Sequence, residues 1–411
     1  MTTTATHSRQ DLDPATNPET GPVGLLGEIV LIGSGVFGSL ALSALSPVLP
    51  EIQAAFADTP SAAFWTKAIV TIDGIAMIAA PFAGFMAARL GGPRRLMILS
   101  YLLFLVAGLA GALMPGLYTI IFTRFLVGIG GAMLTTLAVT LIGDRFADRA
   151  REARIGFNHA TGAALIALMV MLSGWLGDHF GWRASFAVHL LAVPFLLCAL
   201  ASPELAQFRV RPAKDSSANQ PLVGTVPIAL LALVAGSIAL SVPIFLPFHI
   251  KEIGVDSALV AAQMFTLVAG VSVLSSLMFG LVRRILSGAA VFGLAFLLWS
   301  VGLTIAGMSE NLSVLATGVV IIGAGGGLVQ PSIFSLLARM SSAESLARNN
   351  GLVKGCFYGG PFIGTSLLQL MLGHYPAGIS LVALAVLALL MLLIAVPIAG
   401  INERRHAATA Q

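Results

Sequence analysis

The chain has 411 residues, of which 57% are hydrophobic and only 10% charged. That is far too little charge to clothe a water-soluble body of this size, so most of the surface must face lipid. The net charge of +4 follows from membrane topology, as shown below, and nucleic-acid binding is not expected.

A spanning helix takes about 20 predominantly apolar residues. On that ruler the chain carries twelve candidate spans separated by short polar or Gly/Pro-bearing turns. The first six run from Leu25 to Val48, Ala63 to Ala87, Leu96 to Met114, Tyr118 to Ile142, Ile155 to Leu176 and Ala184 to Ala201. The second six run from Val226 to Phe248, Ala258 to Val282, Ala289 to Met308, Val314 to Leu337, Gly351 to Leu372 and Ala377 to Ala399.

This pattern predicts an all-α membrane protein in which residues 25–201 and 225–400 form two six-helix bundles. The stretch 202–224 holds Arg209, Arg211, Lys214 and Asp215 among Pro, Ser, Asn and Gln, a composition that cannot bury a core, and reads as a solvated linker. Residues 1–24 and 401–411 read as tails. The first of them lacks the basic start and short apolar stretch of a cleaved signal.

Basic loop residues are retained on the cytoplasmic side of a membrane. With both tails inside, seventeen of the 22 Lys and Arg are cytoplasmic, all but Lys67, Arg124, Arg183, Lys251 and Lys354. The expected location is therefore a bacterial inner membrane, with both termini in the cytoplasm.

Landmarks of the first half recur in the second at a nearly constant offset. Pro47 and Pro50 match Pro243 and Pro247, and Gly84 matches Gly280. Gly128, Gly130 and Gly131 match Gly323, Gly325 and Gly326, and Arg154 matches Arg348. Six spans per half give both halves the same orientation, so they are parallel repeats about an axis along the membrane normal, with a central cavity between them. Rocking one half against the other would expose a midplane site to each side in turn.

Ionisable groups inside a membrane are expensive and tend to mark pathways or proton relays. Asp73 is the carboxylate nearest the middle of a span, and its depth allows an ion pair with Arg124 on the fourth span. Two readings stand side by side: a proton-sensitive pair beside the cavity, or a buried tie between two helices. Glu28 lies close enough to a helix end to snorkel to the headgroups. Lys354 either does the same or meets an anionic substrate. Asn158 and His159 on the fifth span, with Gln263, Gln330 and Tyr358 in the second half, are candidates for the cavity wall, although such groups are often plain helix-to-helix hydrogen bonds. His159, His189 and His249 have no partners at metal-ligand spacing, so no metal and no cofactor are expected. Cys198 and Cys356 sit in apolar spans and read as packing residues.

Two local patterns connect these residues to a known family. The turn after the second span carries Gly84, Met86, Arg89, Gly91 and Arg94, with Ala88 where an acid would complete G-x-L-x-D-R-x-G-R-R/K; the fourth span carries Arg124, Gly128, Gly130 and Ala132. In these motifs the chain resembles the Major Facilitator Superfamily (MFS) over Leu25 to Ala399. The resemblance implies the MFS fold and a gating role for the turn after span two. Met169 and Val170 stand where antiporters of that family often carry Gly-Pro.

Function then reads as a secondary transporter of a small organic solute working by alternating access, proton-coupled, with a lean to efflux and no partner chain. Proton-driven uptake of a small organic anion or metabolite is the alternative. From other classes come a transporter-fold sensor and a membrane enzyme; the enzyme would need converging acid, base or nucleophile groups at one membrane face, and the polar residues are scattered. A phosphate-binding G-x-x-x-x-G-K-S/T loop for ATP-driven pumping is not in the sequence.

Overall fold

The computed structural model describes residues 24–76, 83–146, 148–206, 225–341 and 346–409. The linker residues 207–224, most of the N-terminal tail, and the side chains of Gly84, Ala88 and His159 lie outside the described residues. The helices are α1 (Leu25–Gly33), α2 (Val36–Ser43), α3 (Leu49–Ala55), α4 (Ala62–Ala76), α5 (Ala83–Arg89), α6 (Pro93–Leu113), α7 (Leu117–Arg145), α8 (Asp148–Phe180), α9 (Ala192–Ala201), α10 (Val226–Glu252), α11 (Ala258–Ile285), α12 (Gly288–Gly307), α13 (Leu312–Met340), α14 (Leu346–Leu372) and α15 (Ala377–Thr409). Short 3₁₀ turns cover Ser46–Val48, Ala184–Leu191 and Pro203–Ala206. Among the described residues nine helical stretches are long and apolar enough to cross a membrane, and no strand occurs.

The predicted first span, Leu25 to Val48, is broken into α1, α2 and a 3₁₀ turn, and the helical path continues past it as α3. Pro47 sits in the 3₁₀ turn and Pro50 in the first turn of α3, where a missing N–H is harmless. Three helices of the second half start on a side-chain cap: Ser257 accepts from Val260 N (3.2 Å), Ser287 from Ala290 N (3.2 Å) and Asn311 from Val314 N (3.0 Å).

Two apolar cores stand apart in sequence. One runs from Val30 to Leu205 around Phe37, Tyr101 and Phe104; the other runs from Ile228 to Ala388 around Phe292, Phe296 and Trp299. Lipid tails are as apolar as leucine, so helix association here relies on close packing, and glycine supplies it in both cores. A Cβ on Gly130 would come within 2.9 Å of the Ser100 carbonyl, and one on Gly325 within 2.7 Å of the Ala295 carbonyl. Gly323 and Gly327 press in the same way on the backbone of α11.

A third cluster joins the halves. Leu45, Leu49, Ile69 and Phe186 pack with Ile244 and Ala258 of the second half, near the end of the molecule that carries the Trp182 turn. The opposite end, carrying Arg94, has the tight turn between α5 and α6. Gly91 there has φ +78°, a left-handed conformation that favours glycine.

Candidate functional site

Asp73 on α4 and Arg124 on α7 meet as an ion pair, with Arg124 Nη2 2.9 Å from Asp73 Oδ2 and both side chains 0% exposed. Arg124 also donates from Nη2 to the Ala41 carbonyl on α2 (2.5 Å) and from Nη1 to His189 Nε2 (2.7 Å). His189 lies 2.7 Å from the Phe186 carbonyl through Nδ1. A carbonyl only accepts, so Nδ1 holds the ring proton and Nε2 is left as an acceptor for the guanidinium. One cation thus ties together α2, α4, α7 and the 3₁₀ turn before α9.

Small residues make the room. A Cβ on Gly128, one helical turn beyond Arg124, would lie 2.9 Å from Asp73 Cα and 3.0 Å from Asp73 Oδ1; one on Gly108 would enter the His189 ring. The cluster is not fully satisfied, because Asp73 Oδ1 and Arg124 Nε are buried without a hydrogen-bond partner. Each such group costs about 1–3 kcal/mol.

The neighbouring residue on α4 reaches the other half: a Cβ on Gly74 would stand 2.6 Å from the Tyr358 carbonyl on α14. The Tyr358 hydroxyl lies within interaction range of the side chains of Ser39 on α2 and Gln330 on α13. Two sequence candidates, Gln330 and Tyr358, therefore stand together on the seam between the halves. Lys354 lies one turn from Tyr358, half-buried, with its Nζ 5.8 Å above the Phe334 ring.

Other candidates lie elsewhere. Asn158 is buried and donates to the carbonyls of Leu31 (3.0 Å) and Ile32 (2.8 Å), which the break between α1 and α2 leaves free. Gln263 stands on an exposed face of α11. Glu28 pairs with Arg154 (Nε to Oε1 3.2 Å) instead of reaching outward alone. Arg94 donates to the carbonyls of Ala199 (3.1 Å) and Leu200 (2.6 Å), capping α9 within the first half. Arg89 is exposed and has an interaction partner.

At the Trp182 end two polar contacts cross the seam. The Asp178 carboxylate on α8 accepts from Ser257 Oγ (2.6 Å), Ala258 N (2.6 Å) and Leu259 N (3.2 Å). It thereby caps α11 across the seam, where the helix dipole favours an anion. Lys67, 7% exposed, places its ammonium 4.3 Å from the Phe248 ring of α10. His189, Asp178 and Ser39 were not legible as site residues, because each acquires its role from a partner 65 or more positions away or from the fold alone.

The helices fall into two bundles that touch along a partly polar seam, and the wholly buried charges sit beside it. This is the build of a polytopic transport protein. The Major Facilitator Superfamily profile matches residues 31–365, and the chain belongs to that family. A multidrug resistance protein B homolog of Mycobacterium tuberculosis is 31% identical over 222 residues, 50% of this chain and 39% of that protein. The multidrug efflux pump LfrA of Mycolicibacterium smegmatis is 32% identical over 154 residues, 37% of this chain and 29% of its own length. The chain thus spans less than half the length of either relative. Among solved structures, a point mutant of the nucleoside transporter NupG superposes with a TM-score of 0.72 at 11% identity, covering 90% of this chain and 99% of that one. The D-xylose-proton symporter gives 0.70 at 16% identity, covering 89% and 96%. At these identities the likeness concerns the fold.

Proposed function

We infer that this chain carries a small organic solute across a bacterial inner membrane by alternating access, using protons that act through Asp73. The observation that carries the reading is the fully buried Asp73–Arg124 pair, one residue from the Gly74–Tyr358 crossing between the halves. When Asp73 takes up a proton, the guanidinium loses the one carboxylate partner it has among the described residues and keeps the Ala41 carbonyl and His189. The α4–α7 contact weakens at the point where α4 touches α14, so proton occupancy shifts the balance between the two open states. The contacts at the Trp182 end then hold one of those states: Asp178 on α11 and Lys67 on Phe248 must part before that end can open.

Export is the favoured direction, because the relatives named for multidrug resistance and efflux match half or more than a third of the chain. The Arg94 end is cytoplasmic in this reading, the tails with it, and one chain is sufficient for transport.

The test uses purified protein in liposomes with an imposed pH gradient and a panel of labelled organic solutes. Asp73→Asn is expected to abolish gradient-driven accumulation while solute exchange at equal pH continues. Accumulation at the parent rate by this variant would overturn proton coupling through Asp73 and leave the pair as a structural tie.

A further inference from the structure

Lys354 lies about 12 Å along α14 from its Leu346 start, and Phe334, under its ammonium, lies about 9 Å along α13 from its Met340 end. The first turn of α14 is polar up to Asn350, so Lys354 stands about one helical turn inside the apolar part of that helix. Its contact there is the Phe334 ring, and among the described residues no carboxylate pairs with it. An ammonium has three donors, and a charge at this depth without a counter-ion is costly. The fixed charges nearest the seam do not offset it, since Asp73 is taken up by Arg124.

The surroundings have a definite pattern. On α13, Gln330 and Phe334 are one turn apart, and on α14 so are Lys354 and Tyr358. The two helices thus present two rungs, Gln330 with Tyr358 and Phe334 with Lys354. The first rung reaches Ser39 of the other half, so the pair of rungs faces the space between the bundles. From that wall come a cation, an aromatic face, and neutral donors and acceptors. Resting on the transporter reading above, we propose that Lys354 is the counter-ion of the transported solute, and that the solute is an amphipathic organic monoanion. Its carboxylate pairs with the Lys354 ammonium, its apolar body lies against Phe334, and Gln330 and Tyr358 meet its neutral polar groups.

Three probes with one apolar body separate the charge from the rest: 2-naphthoate, 2-naphthylmethanol and 2-naphthylmethylammonium. Binding is measured by calorimetry on the full chain in nanodiscs of zwitterionic lipid, and again with one third phosphatidylglycerol. In both lipids naphthoate is expected to bind about tenfold more tightly than the other two, as a charge-assisted contact requires. Lys354→Gln should erase that preference and leave the alcohol unchanged, and Lys354→Arg should restore it. Equal binding of the three probes, tighter binding of the ammonium, no binding of any, or a preference that survives Lys354→Gln overturns the proposal. Loss of the preference in phosphatidylglycerol alone also overturns it, by assigning the ammonium to a lipid headgroup. Counterflow in liposomes distinguishes the underlying reading: a Lys354-dependent naphthoate preference without counterflow of any probe would leave an anion site in a protein that does not transport it.

Discussion

The two halves share a fold but not a core. One repeat length beyond Asp73 stands Ala269, and one beyond Arg124 stands Val319, which is fully buried. Among the described residues the first half buries Lys67, Asp73 and Arg124, whereas the second half buries no Asp, Glu, Lys or Arg. Its largest buried side chain is Trp299, whose Nε1 donates to the Ile322 carbonyl (3.1 Å). The backbones differ in the same sense. Pro47 and Pro50 lie at helix breaks, but α10 runs unbroken through Pro243 and Pro247. The second bundle stands on apolar packing and neutral hydrogen bonds such as Ser241 with Thr365, so the charge cluster is not something the architecture requires. An Asp, an Arg and a His sealed from water need another reason for being there, and a change of protonation state at Asp73 is one, since among the described residues the second half buries no carboxylate.

The glycines are where the halves should behave alike. Gly130→Leu and Gly325→Leu each drive a side chain into a backbone carbonyl less than 3 Å from the Cβ position, and overpacking costs about 1–3 kcal/mol or more. Both variants are expected to lose most of their folded, monodisperse protein in fluorescence-detected size exclusion. If one half tolerates the leucine, the shared packing of α6 on α7 and α12 on α13 is not equally tight.

Arg124→Ala against Val319→Ala is the next contrast. The first strands a buried carboxylate and frees the Ala41 carbonyl and His189 Nε2. Breaking a buried pair in this way costs about 3–5 kcal/mol. The second removes two methyl groups and should cost on the order of 1–2 kcal/mol. The ranking is read from the thermal midpoint of each variant in detergent. Equal midpoints would mean that Asp73 is not held as a charge in the folded protein.

Much of this fold can be read from composition and period, because a span must be apolar and about 20 residues long whatever its neighbours are. Among the described residues, nine helical stretches accordingly meet that requirement. The break of the first span between α1 and α2 was less legible, since Ser34 and Gly35 are unremarkable until Asn158 supplies donors to the carbonyls at the break. In the site, Asp73 and Arg124 stood out because a charge in a span is rare. His189 did not, because an isolated histidine gains its role only when the chain brings it to a guanidinium 65 residues away. Asn158 shows the converse. Its polarity allowed a cavity wall or a helix-to-helix hydrogen bond, and its amide hydrogens go to the backbone carbonyls of Leu31 and Ile32, a need that residue type cannot reveal.

Trp299→Phe should have the smallest effect and gives the sharpest separation of the two halves. The indole fills the second core edge-on to Phe296, with ring centroids 5.6 Å apart, and its N–H is the one polar group it contributes. Phenylalanine keeps most of the volume and leaves the Ile322 carbonyl with its helical partner, so about 0.5–1.5 kcal/mol of hydrogen bonding is lost. The thermal midpoint should fall slightly. Gradient-driven transport and its dependence on pH should match the parent, since no protonation state changes near Trp299. The paired measurement is Asp73→Asn, for which loss of coupling with little loss of fold is expected. A Trp299→Phe protein that folds but no longer couples transport to the gradient would show that the apolar half takes part in coupling, and the division of labour between the halves would have to be abandoned.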